Sequence, residues 1–124
     1  MLKLVLLIFL SLFSLTSCSC DFTSKSMEVT ATAYTSSADE TDAEPTIAAW
    51  GDELKPGMKV IAVSRDLLEL GLDHGIAVTI EGLDGEYIVV DKMNKRWEKK
   101  IDIYMGNDKE AAKDWGKQKV TMCW

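Results

Sequence analysis

Residues 87–106 constrain this chain more than any other stretch, because two apolar runs within it each carry one aspartate. The first run, Tyr87-Ile88-Val89-Val90, ends on Asp91. The second, Ile101-Asp102-Ile103-Tyr104-Met105, is interrupted by Asp102. Short runs of β-branched and aromatic residues suit strands buried on at least one face. An ionised carboxylate is costly to bury without a partner. An acid inside such a run is therefore a candidate for a shifted pKa and a chemical role. The ordinary alternative is an acid at a strand end, capping a turn in water. Asp102 fits that alternative poorly, since apolar residues flank it on both sides.

The rest of the chain supplies further strands. Alternation and β-forming residues predict strands over 27–34, 58–64, 76–81, 86–90, 101–105 and 119–124, with a shorter one over 46–50. Asp84-Gly85 marks a hairpin between two of them. Residues 65–71 and 108–116 carry an acid near the start and a glycine at the end, which predicts two short helices. Short strands with two small helices point to a barrel or a sandwich.

The start of the chain has a different character. A single lysine, Lys3, precedes an almost wholly apolar run over residues 4–15. That run is too short for a comfortable membrane span and has the order of an export signal. It ends in Leu15-Thr16-Ser17-Cys18, which resembles the bacterial lipobox, where the cysteine becomes a lipidated N-terminus. The expected organisation is a signal over 1–17, a polar linker over 18–26 and one domain over 27–124. Two further cysteines, Cys20 and Cys123, can pair in an exported protein, though spacing alone does not fix that.

Several function classes are disfavoured. The formal net charge is −6, and the cations form no basic stripe, so nucleic acid is a poor partner. No phosphate-binding glycine loop or nucleophile elbow occurs. Cysteine spacing gives no zinc pattern, and the lone His74 sits in a turn, so no metal or cofactor is expected.

Taken together, Ala31-Thr32-Ala33-Tyr34-Thr35, Ile61-Ala62-Val63-Ser64-Arg65-Asp66, Val89-Val90-Asp91 and Ile101-Asp102-Ile103-Tyr104-Met105-Gly106, with Ala111-Ala112 and Trp115-Gly116, resemble the 3D domain, a family named for three aspartates. The resemblance runs from about residue 27 to the end. It implies a six-stranded double-psi β-barrel related to the core of membrane-bound lytic transglycosylase A and to rare lipoprotein A. It also implies that Asp66, Asp91 and Asp102 are the three aspartates. Two places depart from the family, one of them Asp66, which precedes Leu67 where the family usually has a proline. Asp91 is followed by Lys92-Met93-Asn94 in place of Asp-Thr-Gly-Gly, and residues 94–100 are basic rather than glycine-rich.

The activity implied is cleavage of peptidoglycan between N-acetylmuramic acid and N-acetylglucosamine, leaving a 1,6-anhydro sugar. The nucleophile in that reaction is the sugar's own C6 hydroxyl, already tethered, so one carboxyl can serve first as acid and then as base. By resemblance Asp102 is that group and Asp91 its neighbour, with Asp66 a third member or a helix cap. Tyr34, Trp50 and Trp97 are aromatics that can stack on sugars or pack in a core, and Trp97, in a polar loop, is the best placed for substrate. Expected partners are glycan strands and, through Cys18, a membrane. Two other functions fit the same barrel: a non-catalytic wall-binding lipoprotein, and a hydrolase of another polysaccharide.

Overall fold

The computed structural model describes residues 24–36 and 47–124. The expected export signal, the lipobox cysteine Cys18, Cys20 and most of the 35–45 loop lie outside the described residues. The order of elements is β1 (Ser26–Tyr34), β2 (Val60–Val63), α1 (Arg65–Leu68), β3 (Ala77–Ile80), β4 (Glu86–Lys92), β5 (Lys100–Tyr104), α2 (Lys109–Trp115) and β6 (Gln118–Cys123).

The six strands form a closed barrel in the order β1-β5-β2-β4-β3-β6. Two pairs are parallel, β1 with β5 and β2 with β4. An antiparallel pair, β2 with β5, joins them. β3 and β6 complete the closure through antiparallel pairs. Closure leaves no open sheet edge.

Strand alternation fills the interior. Val29 and Ala31 of β1, Ile61 and Val63 of β2, Val78 and Ile80 of β3, Val89 of β4, Ile101 and Ile103 of β5, and Val120 and Met122 of β6 make one buried cluster. Leu67 of α1 and Leu72 after it join this cluster. A second apolar layer lies on the other side of the wall. There Ala48 and Leu54 pack with Val60, Val90 and Tyr104, and with Tyr34, Met58 and Ile88 around them. β2 is buried at all four positions because it carries core on one face and this outer layer on the other.

Most expected elements form where the pattern places them. The 46–50 segment differs: it makes a single bridge, Ile47 with Glu53, instead of a strand. The chain reverses at Gly51, whose N–H donates to Ala48 O at 2.9 Å and whose φ is +90°. Gly106 shows a tighter constraint. Its φ is +59°, and a Cβ there would lie 3.1 Å from Pro56 Cα, so the outer layer needs glycine at this position. α2 is capped by the Asp108 side chain, which accepts from Ala111 N, and Trp115 Nε1 donates to Ala31 O at 3.2 Å.

Cys123 is disulfide-bonded, and its partner lies outside the described residues. It sits at the seam where β6 pairs with both Ser26 of β1 and Thr79 of β3. Cys123→Ala is therefore expected to destabilise the oxidised protein by about 2–4 kcal/mol, the usual contribution of a native bridge. The check is a urea midpoint with and without reductant, and reductant is expected to close most of the gap.

Candidate active site

Four residues form one row across the outside of the barrel wall. Thr32 of β1 is the register partner of Asp102 of β5, Asp102 is the partner of Ala62 of β2, and Ala62 is the partner of Asp91 of β4. Their neighbours Ala31, Ile101, Ile103, Ile61 and Val63 fill the interior, as does Val89, two residues before Asp91. The two carboxylates thus stand two strand spacings apart, with backbones separated by about 10 Å. Only the methyl group of Ala62 lies in the row between them.

Asp91 reaches this face through a β-bulge. Ile61 pairs with Val89, but Ala62 pairs with Asp91, so β4 has one extra residue, Val90, at this point. Strict alternation from the inward Val89 and outward Val90 would turn Asp91 into the core. The extra residue keeps it outside, beside Asp102, a common use of a bulge next to a site. Its Oδ1 accepts from Ala49 N at 2.8 Å and from Lys92 N at 2.9 Å. The outer layer therefore fixes this carboxylate through Ala49.

Asp102 is half-buried, and its pKa is pushed up from the usual 3.8 to about 6. Burial is the chief cause. A hydrogen bond from Thr32 and the charge of Lys100 oppose it, and the negative charge of Asp91 adds to it. Ile101 and Ile103, which flank Asp102 in sequence, point to the opposite face, so the carboxyl's covering comes from adjacent strands. Thr32 Oγ1 lies 3.1 Å from Asp102 Oδ1 and 3.4 Å from Ile101 O. It can donate to an ionised Asp102, or donate weakly to Ile101 O while accepting from a protonated one. One hydroxyl thus serves both states of the acid.

Tyr34 completes this corner. Its ring lies 5.4 Å from that of Tyr104. Burial first, then Asp91, Asp102 and Tyr104, push the phenol well above its ordinary pKa, so it keeps its proton. The buried Tyr34 hydroxyl has no hydrogen-bond partner among the described residues. It is a buried donor left without an acceptor among them, close to two acids. Trp50 follows Ala49, is 37% exposed, and carries Lys92 Nζ at 5.4 Å over its ring. His74 packs on it and pairs with Asp52 at 2.7 Å, on the surface.

Asp66 stands apart from the row. It lies in α1, where its Oδ2 accepts from Lys99 N at 2.9 Å. Lys99 has a φ of +45°, the one non-glycine residue in the left-handed region among those described. Asp66 therefore holds the strained base of the β4–β5 loop. The charges that act on Asp102 are those of Lys100 and Asp91. Trp97 lies in that loop, with Lys100 Nζ 3.5 Å from its ring centroid and Arg96 at 4.8 Å. Both cations thus lie close to the Trp97 ring. Thr32 and Ala62 were not singled out from the sequence as members of the site. Strand parity puts Thr32 and Tyr34 on one face, but only the pairing of β1 with β5 brings Thr32 to Asp102.

Two measurements follow from this geometry. In an NMR titration the Asp102 carboxyl is expected near 6, and both Thr32→Val and Lys100→Met are expected to move it upward, since each removes a group that lowers it. The second concerns stability. Asp102 holds its proton to a higher pH in the fold than in the unfolded chain, so its contribution falls as pH rises from about 4 to about 6 and is fully unfavourable above that. Asp102→Asn is expected to stabilise the protein above pH 7 by up to about 3 kcal/mol, with the gain vanishing near pH 4, in parallel urea melts.

A scan against protein-family models finds no match for this sequence, and a search of curated proteins finds none either.

Proposed function

We propose that this chain is a lytic transglycosylase of peptidoglycan, with Asp102 as general acid and base. The observation that carries the reading is an acid with a pKa raised to about 6, set one methyl-lined gap from a second carboxylate. A carboxyl that still holds a proton near neutral pH can donate it to a glycosidic oxygen. The closed six-stranded barrel, with its two parallel pairs joined by an antiparallel one, is compatible with the double-psi topology of the 3D family.

The reaction would run in two steps. Protonated Asp102 gives its proton to the bridging oxygen as the C1–O bond to N-acetylglucosamine breaks. The ionised Asp91 lies across the Ala62 gap, where it stabilises the positive charge that develops on the muramic acid ring. The C6 hydroxyl of the same ring then bonds to C1, and Asp102, now ionised, takes its proton. The acid is restored, no water is consumed, and the intramolecular attack gains a large effective molarity.

Export fits this reading. A disulfide at Cys123 suits an oxidising compartment. No helix among the described residues is long and apolar enough to cross a membrane.

The test is incubation of the purified protein with peptidoglycan and mass analysis of the products. Anhydro-muropeptides, one water lighter than hydrolysed ends, are expected, and Asp102→Asn is expected to form none while staying folded. Reducing ends instead would point to a hydrolase, and binding without products to a wall-binding lipoprotein. The acid must be protonated, so kcat/KM is expected to fall tenfold per pH unit above a limb near 6.

A further inference from the structure

The β4–β5 loop is basic, and it is built rather than loose. Arg65 Nε donates to Met93 O at 3.0 Å, Asp66 holds Lys99 N, and Ser64 Oγ accepts from Lys100 N at 3.0 Å. Within the loop, Asn94 accepts from Arg96 N through its side chain and from Trp97 N through its carbonyl, both at 3.1 Å. Three consecutive residues, Ser64, Arg65 and Asp66, thus fix the loop from one side.

What this frame carries is positive charge without partners. None of Lys95, Arg96, Lys99 and Lys100 is ion-paired among the described residues, although the chain has 20 acids against 14 lysines and arginines. Solvated lysines are usually free to move. Lys100 is not, because its ammonium sits 3.5 Å from the Trp97 ring centroid, with Arg96 over the same ring. Lys100 is also in the row next to Asp102: it pairs with Thr30 where Asp102 pairs with Thr32. A fixed, unneutralised cation one row from the acid is placed to read a negative group on whatever Asp102 acts upon.

We infer that Lys100, held by Trp97 and flanked by Arg96, forms a carboxylate-reading subsite beside Asp102, so that the glycan bound there carries an acidic sugar substituent. This rests on the reading of Asp102 as a site for glycan and adds the charge of its substrate. It also gives the basic loop a role: where a glycine-rich loop would leave the mouth neutral, this one attracts an anion to a protein that is acidic overall. A neutral glycan such as an N-acetylglucosamine oligomer would leave the cation unanswered.

The experiment uses the chain with Asp102→Asn, so that nothing is turned over. Two probes are compared by calorimetry: a disaccharide-peptide fragment of peptidoglycan with free carboxylates, and the same fragment with its carboxylates methyl-esterified. The free acid is expected to bind about tenfold tighter, as for one charge-assisted contact. Lys100→Met is expected to abolish the preference, and Lys100→Arg to keep most of it. Equal affinity for the two probes, a preference that survives Lys100→Met, or no binding of either probe would overturn the subsite. Product analysis on the unsubstituted chain is read separately. A charge preference without anhydro products would uphold the subsite and overturn only the transglycosylase reading.

Discussion

The site depends on one extra residue in β4. Val90 breaks the pairing between β2 and β4, and Asp91 is carried to the outside of the barrel. Were Val90 paired with Ala62 in regular register, Asp91 would turn toward Ile61, Val89 and Ile103, where an ionised carboxylate has no partner and a cost of several kcal/mol. With the extra residue, two acids share a face and the cluster around Ile61, Val89 and Ile103 stays apolar. The bulge thus answers a packing demand and a chemical one at once.

The outer layer extends this effect. Ala48 and Leu54 cover Val60, Val90 and Tyr104, and the same segment sends Ala49 N to Asp91. Burial on this outer face raises the pKa of Asp102 and leaves the Tyr34 hydroxyl without a partner among the described residues. A barrel with a solvated exterior would leave both groups hydrated and ordinary. The buried interior supplies stability, and the second layer spends part of it on keeping an acid and a phenol partly dry.

Much of the barrel was legible in the sequence because strand alternation is local. Each of Val29–Ala31, Ile61–Val63, Ile101–Ile103 and Val120–Met122 is an i, i+2 pair, and each lines the interior. The short stretch at 46–50 misled because Ile47 and Trp50 are β-formers, whereas Gly51 turns the chain before a ladder can extend. The acids at Asp91 and Asp102 were visible as misfits in apolar runs. Their environment was not. Ile101 and Ile103 flank Asp102 in sequence, yet Thr32 and Asp91, which act on its carboxyl, belong to other strands. Register between strands 70 residues apart decides that Thr32 donates to Asp102, and no local pattern encodes register. The tie from Asp66 to Lys99, and with it the assignment of Asp66 to the loop, is likewise a tertiary fact.

The basic loop and the raised acid pull against each other. Lys100 lowers the pKa of Asp102, while burial and Asp91 raise it, and the balance stands at about 6. A cation placed nearer would strip the proton that a general acid needs. One placed farther would lose its hold on a bound anion. Trp97 resolves this by fixing the ammonium over its ring, an attraction that needs no carboxylate partner. The ring thus holds the charge within reach of a ligand while sparing it from pairing with Asp102. Once an anionic substituent binds, it screens Lys100 from the acid, and the proton on Asp102 is held more firmly in the complex than in the free protein.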